Sequence, residues 1–249
     1  MSAILDLKGL EVSFDGFKAV SGLDLSVGEG ELLCLLGANG AGKSTTLDLI
    51  CGKTLPTAGT IRFRDRDITE VHEFRRARLG IGRKFQVPTV FRELTVEQNL
   101  EVARSEYPGV LSTLRRLGVR RCDRLEEVLE LVGLTSKRRA QASELSHGET
   151  QWLEIAMLVM QDSQLILMDE PTAGMTIAET SRTCELFNRL RGRHTLVVVE
   201  HDMSFVREIA ERITVMHQGQ VLAEGGVTDI ENNEAVREAY LGSRGIAHA

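Results

Sequence analysis

The sequence predicts an α/β fold: a parallel-strand core that carries an antiparallel β subdomain and a helical subdomain. Three observations predict it. Short apolar runs alternate with helical stretches in the second half of the chain, the mark of parallel α/β units. Residues 4–36 alternate apolar and polar side chains between glycines, as antiparallel strands do. Residues from about 92 to 161 are poor in strand patterns and rich in Leu, Arg and Glu. The 249 residues are read as one domain. Segments 1–90 and 162–249 supply the β subdomain and core, and 91–161 the helical subdomain.

The elements follow in order. ILDLKGLEVSF (4–14), AVSGLDLSVGEG (19–30) and GTIRFRDRDIT (59–69) read as antiparallel strands. ELLCLL (31–36) is a short apolar run after Glu31 and reads as a buried parallel strand. KSTTLDLICG (43–52) sets Leu47, Ile50 and Cys51 at helical spacing. LGIGRKFQ (79–86) is strand-like, and RLEEVLELVGL (124–134) is helical. ETQWLEIAMLVMQ (149–161), with Trp152, Ile155, Ala156 and Val159, reads as a buried helix with Ser146 near its N-cap. LILMD (165–169), a helix over 177–191, TLVVVE (195–200) and a helix over 202–211 alternate after it, and 213–225 reads as a hairpin with Gly219 in its turn.

Composition narrows the function. Thirty basic against thirty-six acidic residues give a net charge of −6, which argues against a nucleic-acid partner. Basic clusters at Arg75, Arg76 and Arg78, at Arg115, Arg116, Arg120 and Arg121, and at Lys137–Arg139 read as solvated helix faces, or else as contacts to anionic head groups beside a membrane protein. No apolar run reaches membrane-spanning length, and the N-terminal residues lack the order of a signal peptide. Cys34, Cys51, Cys122 and Cys184 lack metal spacing, and two of them sit in apolar runs as small buried hydrophobes. A cytoplasmic, reduced protein is expected.

Two stretches carry chemistry. GANGAGKS (37–44) fits G-x-x-x-x-G-K-[ST], placed between the strand 31–36 and the helix 43–52. Glycines let backbone N–H groups turn toward phosphate oxygens, and the helix N-terminus adds the positive end of its dipole. Gly37, Asn39, Gly40, Ala41, Gly42, Lys43, Ser44 and Thr45 are the expected nucleotide-binding residues. Lys43 would reach the β- and γ-phosphates, and Ser44 would ligate Mg²⁺. LILMD ends in Asp169, and Glu170 follows it. An acid at the end of such a strand holds Mg²⁺ through water, and the next can orient and polarise the attacking water. An acidic turn after a buried strand is also common on its own; the loop upstream tips the reading to ATP and Mg²⁺.

LSHGE (145–149) lies at the start of the 149–161 helix, with Ser146 23 residues before Asp169. In this position it resembles the ABC ATPase signature loop, Leu-Ser-Gly-Gly-Gln. The resemblance runs from about Leu5 to Gly242 and implies the P-loop NTPase ABC ATPase fold, with a RecA-like parallel core. It implies ATP hydrolysis in a homo- or heterodimer, where Ser146, Gly148 and Glu149 bind the γ-phosphate of ATP held by the second ATP-binding subunit. Phe14 stands where the family stacks an aromatic on adenine, with Phe17 as competitor and plain packing as the alternative. Gln86 matches the glutamine that contacts Mg²⁺ or water and signals to the membrane partner. Glu170, His201 and Gln86 are the implied catalytic residues; Ser44, Gln86 and Asp169 the implied metal ligands.

Three positions depart from the pattern. His147 replaces Gly, and Thr176 replaces the Asp that ends the segment AGMT (173–176). Glu149 replaces Gln; its carboxylate either weakens the phosphate site, favours the helix N-terminus in the absence of nucleotide, or turns to solvent or ribose. RLGIGRKFQVPTVFRELTVEQNL (78–100), LSHGETQWLEIAMLVMQD (145–162), DEPTAGMT (169–176) and VREAYLG (236–242) resemble the ATP-binding subunits of branched-chain amino acid and urea importers, nearest the urea type. Transmembrane permease subunits, a periplasmic binding protein acting through them, and a peripheral position on the cytoplasmic face of the membrane are implied. Lipopolysaccharide-export ATPases and soluble ABC ATPases are the alternatives.

Overall fold

A computed structural model describes residues 3–84, 89–104 and 120–244. Two sheets organise them. The first is antiparallel, in the order β2-β1-β4-β5. β1 (Ala3–Phe14) pairs with β2 (Phe17–Gly28) on one side and with β4 (Ala58–Phe63) on the other; β5 (Arg66–Asp67) closes the edge. Asp15 and Gly16, at φ 47° and 86°, make the tight turn between β1 and β2, a conformation suited to the twist of a hairpin.

The second sheet holds six strands. β9 (Arg212–His217), β3 (Leu32–Gly37), β8 (Thr195–Val199), β7 (Leu165–Asp169) and β6 (Ile81–Lys84) lie in that order and run parallel. β10 (Gln220–Gly225) adds an antiparallel edge to β9 through the turn at Gln218 and Gly219, as the sequence predicts for 213–225.

β3, β7 and β8 are buried at every position, which explains their unbroken apolar runs. Leu33 and Leu35 of β3 pack into one core with the antiparallel sheet, Leu47 and Ile50 of α1 (Lys43–Cys51). Leu32, Cys34 and Leu36 face the other core. That second core is filled by α3 (Val96–Arg104), α4 (Arg120–Val132), α5 (His147–Met160), α6 (Ile177–Leu190) and α7 (Met203–Ile209). α5 is buried at every residue from Gln151 to Met160, so it carries no polar face there. Trp152 fixes it to α6: its indole N–H donates to Thr183 Oγ1 at 3.0 Å, and the Arg182 guanidinium lies 4.3 Å from its ring centre. Arg182 and Arg189 of α6 also donate to the carbonyls of Gly133, Glu130 and Leu131, which end α4.

The basic clusters correct one expectation. Arg76, on α2 (Glu73–Arg78), is fully buried. Its guanidinium donates to the carbonyls of Leu49 and Ile50 at the end of α1, and to those of Thr69 and Val71. Burial pulls its pKa down to about 10. It is a cap, not a solvated charge. Arg138 likewise pairs with Glu97 and Glu126. Arg115 and Arg116 lie outside the described residues. Cys34, Cys51 and Cys184 are buried and free, and burial pushes the Cys34 thiol up to about 12, as suits small hydrophobes. α8 (Val227–Glu231) and α9 (Glu234–Arg244) follow β10. No described helix is long and apolar enough to cross a membrane.

Candidate nucleotide site

The register of the parallel sheet brings the chemistry together. Leu35 of β3 and Asp169 of β7 both pair with Val199 of β8, so the three strands end side by side. The loops leaving them gather at the carboxyl edge, where open α/β sheets bind ligands.

The loop after β3 is set by its glycines. A Cβ on Gly37 would meet Met216 O at 2.4 Å, and one on Gly42 would meet Ala19 O at 2.5 Å; both residues have positive φ. Gly40, also at positive φ, faces open space, leaving backbone accessible to a ligand. Asn39, Gly40 and Ser44 are exposed, Thr45 is half-buried, and Ala41 is buried with its carbonyl accepting from Gly219 N. Lys43 is only 8% exposed, and its ammonium donates to the carbonyls of Gly37 and Ala38 at 2.8 and 3.0 Å. Burial lowers its pKa, while Glu170 and Asp169 act the other way, which puts both carboxylates within its field. A buried ammonium with only carbonyl partners, beside an open glycine backbone and a helix N-terminus, fits a polyphosphate.

Asp169 is 4% exposed, and Arg83 lies 3.9 Å from it while also pairing with Asp48 of α1. Glu170 sits at φ 47°, a left-handed conformation uncommon for a side chain of its size, held by its N–H to Val199 O at 2.9 Å. His201 Nδ1 lies 3.4 Å from Glu170 Oε1. Glu200, nearly fully buried, accepts from Thr172 N and Oγ1 and from His201 N, and so fixes both loops. Sequence reasoning singles out Glu170 and His201 but misses the bracing by Glu200 and Arg83, for which no spacing rule exists. No group of three or more His, Cys, Asp or Glu able by itself to hold a metal ion exists among the described residues. A site with one carboxylate and one hydroxyl suits Mg²⁺, which keeps several waters and borrows phosphate oxygens.

Phe14 and Phe17 face each other across the hairpin, 47% and 66% exposed, so neither packs into the core. Phe17 begins the strand whose Ala19 carbonyl abuts the glycine loop, and Phe14 ends its partner. Gln86 lies outside the described residues.

The LSHGE segment starts α5 as a capping box. Ser146 Oγ accepts from Glu149 N, and the Glu149 carboxylate accepts from Ser146 N at 2.9 Å. Glu149 Oε2 also accepts from Lys137 Nζ at 2.6 Å. Of the roles open to Glu149, the structure shows the one at the helix terminus, not a side chain turned to solvent. Burial raises its carboxyl pKa, but the bonds from Lys137 and Ser146 outweigh this and hold it below the usual range.

Thr176 is the N-cap of α6 in a second capping box with Glu179. Glu179 reaches across to the first: its Oε1 accepts from Ser146 Oγ at 3.1 Å and lies where a Cβ on Gly148 would fall. His147 Nε2 is 2.9 Å from Ala173 O. The two segments are therefore tied to each other. T-x-x-E at 176–179 was a visible capping signal; its reach to Ser146 was not.

The family model described as ABC transporter matches residues 20–173, more than half the chain. The chain belongs to the ABC transporter family. As an ABC ATP-binding subunit it hydrolyses ATP. A second model, described as branched-chain amino acid ATP-binding cassette transporter, matches residues 220–245. The chain is 39% identical to the high-affinity branched-chain amino acid transport ATP-binding protein LivG of Salmonella typhimurium, over 96% of this chain and 98% of that one. It is 34% identical to the lipopolysaccharide export system ATP-binding protein LptB of Acidithiobacillus ferridurans, over 98% and 99%. An ATP-binding cassette of an ABC transporter solved in its ADP conformation superimposes with a TM-score of 0.84 at 29% identity, covering 97% of this chain and all of that one. This ABC subunit falls in the branched-chain amino acid importer class.

Proposed function

We propose that these strand-end loops bind Mg²⁺-ATP between two ATP-binding subunits and that its hydrolysis drives uptake through transmembrane permease partners. The observation that carries the reading is the meeting of Glu170 and His201, 3.4 Å apart, at the strand ends beside buried Lys43. The phosphates lie along residues Gly37 to Thr45, with Lys43 at the β- and γ-phosphates. Phe14 stacks on adenine. Ser44, Asp169 and Gln86 would hold Mg²⁺. Bound there, the ion would neutralise negative charge that develops on the transferring phosphoryl group. Glu170 orients the attacking water and takes its proton; His201 holds the γ-phosphate side. Ser146, Gly148 and the N-terminus of α5 close on the γ-phosphate of the second subunit's ATP. Closing and opening move the permease through the 91–161 segment, a population shift driven by γ-phosphate contacts.

The cargo we propose is urea or a branched-chain or related amino acid, supplied by a periplasmic binding protein, with this subunit peripheral on the cytoplasmic face. The LivG likeness and the match at 220–245 support the amino-acid arm; the strings at 78–100 and 169–176 support the urea arm. The LptB likeness favours a second reading, lipopolysaccharide export. The test is uptake by vesicles holding this subunit assembled with its permease partners and a periplasmic binding protein. ATP-dependent accumulation of labelled urea or leucine decides between the two importer arms. Accumulation of neither, with lipopolysaccharide extracted instead, overturns the importer.

A further inference from the structure

The LSHGE loop presents a charge problem. Its phosphate-facing end holds two carboxylates. Glu149 belongs to the loop, and Glu179 leans onto Ser146 and Gly148 from α6. A helix start that must receive the most highly charged end of ATP is poorly served by two negative groups. A cation answers the first of them: Lys137 donates to Glu149 Oε2 at 2.6 Å. It stands on the one-turn helix Thr135–Lys137, outside both the GANGAGKS and LSHGE segments, and its side chain stays 42% exposed. It can therefore be reached by a second molecule without unfolding anything.

We propose that Lys137 is a positioning residue for the ATP held by the second subunit: it neutralises Glu149 and so makes the LSHGE loop acceptable to the γ-phosphate. This rests on the two-subunit reading above. With Lys137 present, the Lys137–Glu149 unit is neutral, and Glu149 no longer opposes the action of the α5 N–H groups on the phosphate. With Lys137 removed, Glu149 stays at the helix start and repels it. With Glu149 also made neutral, the repulsion goes.

The experiment follows pairing of the full chain by light scattering against the concentration of a non-hydrolysable ATP analogue with Mg²⁺. Lys137→Ala should need about tenfold more analogue for half-maximal pairing, a Coulomb effect of the size expected near a protein surface. Glu149→Gln, which leaves Lys137 uncompensated, should need less than the native chain. The double variant should return close to native, and Lys137→Arg should match it. ADP affinity of the single chain, which does not involve the γ-phosphate, should not move in any of them. A purely structural staple predicts otherwise: both single changes weaken pairing alike, and the double variant is no better than Lys137→Ala. That pattern overturns the proposal. A native chain that binds the analogue but never pairs overturns the two-subunit reading, and this inference with it.

Discussion

The two halves of the candidate site are built on opposite plans. The strand-end half, with Lys43, Asp169, Glu170 and His201, is positioned by backbone: parallel register, close glycine contacts and a buried sheet edge. The helix-cap half, with Ser146, Glu149, Thr176 and Glu179, is positioned by side chains that hydrogen-bond one another at the surface. The first is rigid because moving any member would disturb the sheet. The second can rearrange at the cost of a few exposed hydrogen bonds. That difference suits a machine in which one half holds the nucleotide and the other must engage and release it.

The sharpest way to break this comparison is to remove chemistry from the rigid half without touching its frame. Glu170→Gln keeps the size of the side chain and its neighbour His201. Steady-state ATPase should fall roughly 10²- to 10⁴-fold, the range for loss of a general base, with ATP affinity retained. Turnover near the native rate would remove Glu170 from its role. Gly42→Ala attacks the frame itself. Its Cβ would meet Ala19 O at 2.5 Å, at φ 100°. Strain of about 1–3 kcal/mol or more is expected, read as a lower denaturant midpoint together with lost nucleotide binding. An unstrained, binding-competent variant would show the loop to be softer than the contacts imply.

The helix-cap half should respond more mildly and through pH. Glu179→Ala removes the acceptor shared by Thr176 and Ser146, and roughly 1 kcal/mol of stability should go with it. Hydrogen bonds from Thr176 hold the Glu179 carboxyl below its ordinary value of 4.5. A carboxyl lowered by folding stabilises the native state above its unfolded pKa, and that contribution is lost as pH falls through the folded value. The gap in urea midpoint between native chain and variant should therefore be full at pH 7 and narrow below about 4.5, the ordinary value. A gap that widens in acid would reverse the sign of the argument.

The same division governs what the sequence discloses. Backbone-built features repeat as patterns, so the strand before GANGAGKS, the acids closing LILMD and the hairpin at Gly219 are all legible. Side-chain partnerships are not. Arg75, Arg76 and Arg78 look alike in a helix of six residues; only the packed fold shows that Arg76 points inward to cap α1. Lys137 and Glu149 lie twelve residues apart with no spacing rule between them, and Glu200 braces two loops from inside a strand end. Exposure of Phe14 and Phe17 removes plain packing as their explanation, which the sequence leaves open.

The smallest expected effect bears on Thr176, where the family pattern has Asp. Thr and Asp both cap helices well, so the exchange looks neutral. The neighbour makes the difference. Thr176 Oγ1 accepts from Glu179 N at 3.3 Å and donates to Glu179 Oε2 at 2.9 Å. A carboxylate at 176 could accept the first bond but not donate the second, and it would face Glu179 as a like charge. Thr176→Ser should be close to native. Thr176→Ala should lose about 1 kcal/mol with the cap. Thr176→Asp should fall between them, and it should approach native when combined with Glu179→Gln, whose amide can donate. Denaturant midpoints of the four variants test this order. Thr176→Asp more stable than native would mean that the helix dipole outweighs the carboxylate pair, and that Glu179 does not determine the residue tolerated at 176.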